Sequence, residues 1–155
     1  MTNLTESGHI TELLFFAYRD FTKDADKILD DIGLGRAHHR ALHFIDRQPN
    51  LSVAELLELL GVTKQSLSRV LRNLVDAGYV RQNRSTQDGR RQELSLSSTG
   101  EELILKLRAP QYRRIADALS DYEQDAQIVI RFLEGMLDET SMAQQNALSK
   151  IGDHK

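Results

Sequence analysis

The chain has 155 residues, of which 40% are hydrophobic and 28% charged, and its formal net charge at pH 7 is −3. This balance excludes an intrinsically disordered chain, and the lack of cysteine excludes disulfides, thiolate metal sites and cysteine nucleophiles. The longest apolar run, Leu13–Tyr18, is far shorter than the roughly 18 residues of a membrane-spanning helix, and no secretory signal is visible, so we expect a soluble cytoplasmic protein that contacts no membrane.

Two helices are predicted before residue 50. Between Ile10 and about Asp31, apolar residues recur at helical spacing, and two glycines then end the pattern. A shorter helix is predicted from Arg36 to Arg47, and it ends before Pro49 because proline cannot continue a helix.

A pair of short helices follows, each marked by the residues at its ends. Ser52 and Glu55 have the spacing of a capping box. In this motif the serine oxygen accepts a hydrogen bond from one free backbone N–H, and the glutamate carboxylate accepts from another. Gly61 ends this helix, since glycine readily adopts the left-handed conformation of a helix C-terminus. Thr63 then caps a further helix that runs through Ala77.

A two-stranded hairpin is predicted next. Its strands are Tyr79–Gln82 and Gln92–Leu96, the second of which alternates apolar and polar residues. The polar loop between them contains Asp88-Gly89, a pair that favours a tight turn. The hairpin therefore has a basic tip that follows the second short helix directly.

The C-terminal third is predicted to be helical. Ser98 and Glu101 have the spacing of a second capping box, which opens a long helix that is interrupted or kinked near Pro110. Ser120 and Glu123 repeat that spacing and open a last helix.

The positive charge is concentrated in the middle of the chain. Between Gly61 and Gly100 there are seven Lys and Arg against three Asp and Glu, a balance of +4, which leaves −7 for the rest of the chain. A basic centre within an acidic frame favours one surface that faces a polyanion. Charge by itself is equally compatible with a solvated face on which the cations cluster by chance.

Two short helices joined by a tight turn and followed by a basic hairpin suit double-stranded DNA. An α-helix fits the major groove, and its N-terminal residues reach base edges, while arginine is attracted into the minor groove. The alternatives are a plain helical hairpin and a winged-helix module that binds another protein without DNA. The predicted DNA-binding residues are Thr63, Lys64, Gln65, Ser66, Ser68, Arg69 and Arg72 in the second helix, and Arg84, Arg90 and Arg91 in the hairpin.

The segment Leu51–Leu103 resembles the MarR family of bacterial transcriptional regulators. The most specific pieces are LGVTKQSLSRVLRNLVDAGYV, then Asp88-Gly89-Arg90-Arg91, then LSLSSTG. The resemblance implies a mainly α fold with a small β-hairpin wing. It implies a winged helix-turn-helix domain (34–100) between N-terminal (1–33) and C-terminal (101–155) dimerisation helices.

The resemblance also implies functional roles. Ser66 and Arg69 match positions that contact DNA, and Arg90 matches a wing arginine of the minor groove. Asp88 matches a residue that supports this arginine through a salt bridge or backbone hydrogen bonds without touching DNA. Members of the family are typically homodimers on pseudo-palindromic operators, and many release DNA when a small ligand binds. We therefore expect double-stranded DNA, a second copy of the chain and a small-molecule effector as partners, and a repressor more than an activator.

Apolar stripes in the first and last helices offer a surface for pairing. They exceed what one small winged helix covers, although packing within one chain would also explain them. The predicted dimer-interface residues are Leu13, Leu14, Phe21, Ile130, Leu133 and Leu137.

Sensor and enzyme functions have weaker signals. His39 and His43 are spaced i, i+4, as a metal pair would be, which leaves a metal-responsive regulator as an alternative. A complete metal site needs at least one further ligand, such as His9, from another helix or subunit. We therefore expect His39 and His43 to be solvated or to lie at the edge of the core, and we expect no cofactor. Tyr18 and Phe44 are candidates to line an effector cleft or are ordinary core residues. The chain lacks a phosphate-binding glycine loop, a nucleophile elbow and an HExxH motif, so no enzyme is predicted.

Overall fold

The structure is a computed structural model that describes residues 3–121 and 125–152. The predicted mainly α fold with a small β wing is confirmed. The described elements are α1 (Leu4–Asp30), α2 (Arg36–Arg47), β1 (Leu51–Ser52), α3 (Val53–Leu60), α4 (Lys64–Asp76), β2 (Val80–Arg84), β3 (Gln92–Leu96), α5 (Ser98–Leu119), α6 (Ala126–Gly135) and α7 (Glu139–Gly152).

One hydrophobic core joins α2, α3, α4 and the sheet, and we call the segment from α2 to β3 (36–96) the winged unit. Each of its helices has an apolar stripe that faces the others, so their leucines meet in the middle. The C-terminal half of α1 and the first half of α5 complete the same core, which therefore crosses the predicted domain boundaries. The fully buried large side chains are Leu29, Leu42, Leu51, Leu56, Leu67, Leu74, Leu94, Ile104 and Leu107.

The sheet has three described strands where two were predicted. Their order is β1-β3-β2, and both pairings are antiparallel. Leu51 lies opposite Leu94, so the residues just before α3 pair with the return strand of the wing. A two-residue strand has no alternation to detect, which is why the sequence pattern did not predict β1.

Helix starts differ from the predictions at two places. α1 begins at Leu4 and not near Ile10, because Asn3 and Glu6 form a capping box in which the N–H of Asn3 donates to Glu6 Oε2 at 3.1 Å. The N-cap of α5 is Ser97 and not Ser98, and its Oγ accepts from the N–H of Gly100 at 3.1 Å. The predicted capping box at this start is therefore wrong.

α5 continues through Pro110 without interruption. Its first turn lies close to the start of β2, where a Cβ on Gly100 would be only 2.0 Å from the carbonyl oxygen of Tyr79. This approach requires glycine, so Gly100 at the end of the LSLSSTG segment is dictated by packing at the base of the wing.

The predicted last helix is two helices. α6 ends at Gly135, so Leu137 lies in the connection to α7 and not in register with Ile130 and Leu133. Glu123 of the predicted third capping box lies outside the described residues.

α7 packs back onto the winged unit. Leu148 is buried, and its carbonyl oxygen accepts from Arg47 of α2 at 3.4 Å. Gln144 donates to the carbonyl oxygen of Glu58 in α3 at 3.2 Å. The C-terminal helix is thus in direct contact with the first helix of the helix-turn-helix.

Candidate nucleic-acid interface

The turn between α3 and α4 presents the start of α4 to solvent. Gly61 has a φ of 60°, which ends α3 and redirects the chain. Thr63 Oγ1 accepts from the N–H of Ser66 at 3.2 Å and donates to Ser66 Oγ at 3.0 Å. The predicted polar residues at this helix start are exposed, where the positive end of the helix dipole favours an anion. The exposed set is Thr63, Lys64, Gln65, Ser66, Ser68, Arg69 and Arg72.

The two faces of α4 have opposite roles. Leu67, Leu71 and Leu74 are buried against the core and fix the helix. Among the residues that the structure describes, Lys64 and Arg69 on the outer face form no ion pair. The same holds there for Arg72, so the basic side chains of α4 are available to phosphates and base edges.

His38 connects α2 to α4. Its Nδ1 accepts from the N–H of Gly35 at 3.1 Å, and its Nε2 lies 3.3 Å from the side-chain nitrogen of Asn73. Burial lowers the pKa of His38, and the charge of Arg69 acts against protonation as well. The ring of His38 therefore links the start of α2 to the exposed side of α4.

The tip of the wing is held by its own side chains. Asp88 Oδ1 accepts from the N–H of Arg90 at 3.0 Å, which is the backbone form of the support expected from the resemblance. Ser85 is buried, and its Oγ accepts from the N–H groups of Gln87 and Asp88 at 3.2 and 3.4 Å. Within the described parts of the chain, the guanidinium groups of Arg84 and Arg90 form no ion pair.

Arg91 differs from the other wing arginines. Its Nη2 donates to Glu55 Oε2 at 2.9 Å and to the carbonyl oxygen of Asn50 at 3.3 Å. Its Nε lies 3.8 Å from Glu93 Oε1. Glu55 was predicted only as a capping residue, and no local sequence pattern could pair it with a residue 36 positions away.

A groove of about 1000 Å³ separates α4 from the wing. Lys64, Ser68 and Arg72 line it on the helix side, and Arg90 lines it on the wing side. The structure therefore brings part of each predicted DNA-binding group to the edges of one groove. Gln65, Ser66 and Arg69 line a second, smaller depression on α4.

The predicted dimer-interface residues lie outside the core. Leu14 and Phe21 are partly buried, whereas Leu13 on α1 is 51% exposed. On α6, Ile130 and Leu133 are 44% and 49% exposed, and every residue of this helix is at least partly exposed. The exposed large apolar side chains from α6 to the start of α7 are Ile128, Val129, Ile130, Phe132, Leu133, Met136 and Leu137.

His39 and His43 are half-buried beside a cation. Burial lowers the pKa of both rings, and the nearby Arg108 lowers each further. Arg108 is itself paired with Asp46. Among the described residues, no group of three or more His, Asp or Glu could hold a metal ion. A neighbouring guanidinium also opposes the binding of a cation.

The predicted effector-cleft residues do not share one environment. Phe44 packs against the core, with its ring centroid 5.3 Å from that of His43. Tyr18 is exposed, and the guanidinium of Arg36 lies 5.7 Å from the centre of its ring. The groove of about 1000 Å³ lies elsewhere, between α4 and the wing.

None of the described helices has the length and apolarity to cross a membrane.

Comparisons with known proteins match this architecture. A family model described as the MarR family matches residues 32–91. The chain is 47% identical over 128 residues to the HTH-type transcriptional regulator PetP of Rhodobacter capsulatus, covering 82% of this chain and 77% of PetP. It is 31% identical over 115 residues to the HTH-type transcriptional repressor Rv2887 of Mycobacterium tuberculosis, covering 74% of this chain and 81% of the repressor.

Solved structures show the same fold. A MarR family regulator from Silicibacter pomeroyi superposes with a TM-score of 0.70 at 23% identity, covering 88% of this chain and 94% of that one. A mutant of S. aureus MepR bound to an oligodeoxyribonucleotide superposes with a TM-score of 0.55 at 20% identity, covering 94% and 96%.

Proposed function

The chain belongs to the MarR family, and we propose that it regulates transcription by binding double-stranded DNA as a homodimer on a pseudo-palindromic operator. The strongest support is the position of cations that form no ion pair among the described residues. Lys64 and Arg72 on α4 and Arg90 on the wing line one groove, and Arg69 lies beside Arg72 in a neighbouring depression on α4. The opposite face of α4 is packed into the core. A relative of 47% identity is named as a transcriptional regulator, and relatives of 31% identity are named as repressors, which favours repression.

α4 enters the major groove in this proposal. Its first turn carries Gln65 and Ser66, and the next turn carries Arg69, and these three groups with different hydrogen-bonding patterns line one depression. Glutamine pairs with adenine and arginine with guanine through two hydrogen bonds each, while hydroxyl groups suit phosphates. These residues are flanked by Lys64, Ser68 and Arg72, which contact the phosphate backbone of the DNA.

The wing enters the adjacent minor groove. Arg90 supplies the guanidinium, and Asp88 fixes the backbone that presents it. Arg84 lies at the end of β2 and contacts phosphate beside the groove. The narrow minor groove concentrates negative potential, which favours arginine over an uncharged side chain.

Two copies are proposed because one winged unit makes few base contacts. A symmetric dimer spans two half-sites about 34–36 Å apart and combines their binding energies. The exposed apolar side chains of α6, with Leu13 of α1, supply the surface for pairing. The domain division, the cytoplasmic location, the small-molecule effector and the absence of enzymatic activity stay predictions.

The test uses the purified protein and a labelled duplex of the intergenic DNA beside its own gene. We expect binding whose log affinity falls linearly as log salt concentration rises, because displaced counterions accompany each phosphate contact. Replacing Arg90 by alanine should weaken binding about 10- to 100-fold, and replacing Arg69 should also relax the preference at one operator position.

The matched control is Arg113→Ala, which removes an exposed arginine from α5. It should leave the affinity close to that of the unaltered protein. Failure of the unaltered protein to bind any duplex at low salt would favour the protein–protein module instead. Full affinity in the Arg90→Ala variant would overturn the role assigned to the wing.

A further inference from the structure

Arg91 is the wing cation whose charge is already engaged. Its guanidinium contacts Glu55 Oε2 at 2.9 Å, the carbonyl oxygen of Asn50 at 3.3 Å and Glu93 Oε1 at 3.8 Å. Among the described residues, the neighbouring Arg90 has no such acid. Two adjacent arginines therefore have different environments, although the sequence assigned both to DNA.

A single oxygen of Glu55 serves two elements at once. Oε2 accepts from the N–H of Ser52 at 2.8 Å and from Ser52 Oγ at 2.7 Å, which caps α3. The same atom accepts from Arg91 at 2.9 Å. Burial of Glu55 would raise its pKa, but the hydrogen bonds from Ser52 and the charge of Arg91 outweigh burial and lower it. The carboxylate is thus ionised and bound from two sides.

The backbone of Arg91 closes the tip of the wing. Its N–H donates to the carbonyl oxygen of Asp88 at 2.9 Å, and its carbonyl oxygen accepts from the N–H of Ser85 at 2.8 Å. The residue is therefore fixed to the tip loop by its main chain and to the cap of α3 by its side chain. A displacement of the wing relative to α3 would break the contacts at one of these ends.

We propose that Arg91 and Glu55 are positioning residues that hold the wing at the angle at which Arg90 and α4 contact one duplex together. This rests on the proposed function, because the angle matters only if both elements bind DNA. Fixing two contact groups before binding avoids the entropic cost of ordering them in the complex. An ion pair this exposed adds little to folding stability, so its effect is expected in affinity and not in unfolding.

The test is a double-mutant cycle with Glu55→Gln and Arg91→Ala, measured by fluorescence anisotropy on the duplex bound by the unaltered protein. Glutamine preserves the cap of α3, since it also accepts at this position, but it removes the charge that holds Arg91. We expect each single change to lower affinity about 5- to 10-fold and the double variant to be no weaker than the weaker single one. Circular dichroism and thermal unfolding should be unchanged in all three.

The direction in which Glu55→Gln changes DNA affinity distinguishes a positioning role of Arg91 from a direct contact with DNA. If Arg91 contacted DNA directly, removing its acidic competitor would leave affinity unchanged or raise it, and that result would overturn the proposal. Multiplicative losses in the double variant would do the same, because they indicate independent roles.

Arg84→Ala is the control for a wing arginine that is unpaired among the described residues. It should reduce the slope of log affinity against log salt concentration by about one. Its fold loss of affinity should multiply with that of Glu55→Gln. If the unaltered protein does not bind the duplex at all, the proposed function fails. If it binds and Glu55→Gln does not weaken it, only the positioning role fails.

Discussion

The winged unit and α6 use apolar residues in opposite ways. In the winged unit, Leu42, Leu56 and Leu74 are fully buried within the chain. In α6, Ile130 and Leu133 have the spacing of a buried stripe but remain 40–50% exposed. The core of the first region is completed within one chain by residues of α1 and α5, whereas the second has an apolar face that only another surface can cover. One chain therefore suffices to form the groove between α4 and the wing, whereas the exposed apolar face of α6 favours pairing with a second copy.

Equivalent leucine truncations in the two regions should differ most in stability. Leu74→Ala should lower the free energy of unfolding by about 3 kcal/mol, because it leaves a cavity in a closed core. Leu133→Ala should change it by about 0.5 kcal/mol or less in dilute protein, where the side chain faces water. Urea unfolding at two protein concentrations measures both. Equal losses at both sites would show that α6 is buried within its own chain.

A charge on α6 should separate folding from pairing. Leu133→Asp should convert a dimer to a monomer by light scattering and weaken operator binding about 100-fold, because the avidity of two linked copies is lost. Circular dichroism should stay unchanged, since no core contact is removed. Gln127→Asp adds the same charge at an exposed polar position of α6 and serves as the control. A dimer that survives Leu133→Asp would place the interface elsewhere.

Helix caps allow a similar comparison between the winged unit and the C-terminal helices, with a smaller expected effect on stability. Thr63→Ala removes the acceptor for the N–H of Ser66 and should lower global stability by about 1 kcal/mol. Asp138→Ala removes the acceptor for the N–H of Ser141 at the start of α7, where local opening should absorb the loss. Hydrogen exchange detects the difference: the whole winged unit should open more often in the first variant, and only α7 in the second.

The smallest expected effect lies where α2 meets α5. Burial lowers the pKa of His43 below 6.5, and the charge of Arg108 adds to this, so the unfolded chain binds the proton first as pH falls. Stability should therefore be full well above pH 6.5, decline as pH falls from 6.5 to the lowered pKa, and level off below that value. His43→Gln should flatten the decline between about pH 7 and pH 5 in thermal unfolding. An unaltered slope would indicate that other groups carry the dependence.

The periodic elements were predictable because their signals are local. Thr63 and Gly61 mark the ends of α4 and α3 through capping chemistry, and the structure has both ends where they were predicted. Some predictions failed where no local signal exists or where a distant residue decides, but the start of α1 was missed although Asn3 and Glu6 carry a local capping signal. β1 is too short to alternate, and α5 is capped by Ser97, whose N–H donates to the carbonyl oxygen of the distant Tyr79 at 3.0 Å.

The amino-acid sequence by itself determined the helix-turn-helix, the hairpin and the exposed polar edge of α4, since capping, periodicity and turn chemistry act within a few residues. Only the tertiary structure decided which cations are engaged. Arg90 and Arg91 are neighbours of identical type, yet Arg91 pairs with Glu55 from another element. Such a pairing depends on where the fold brings distant residues together, because ion pairs form through space and leave no periodic trace along the chain.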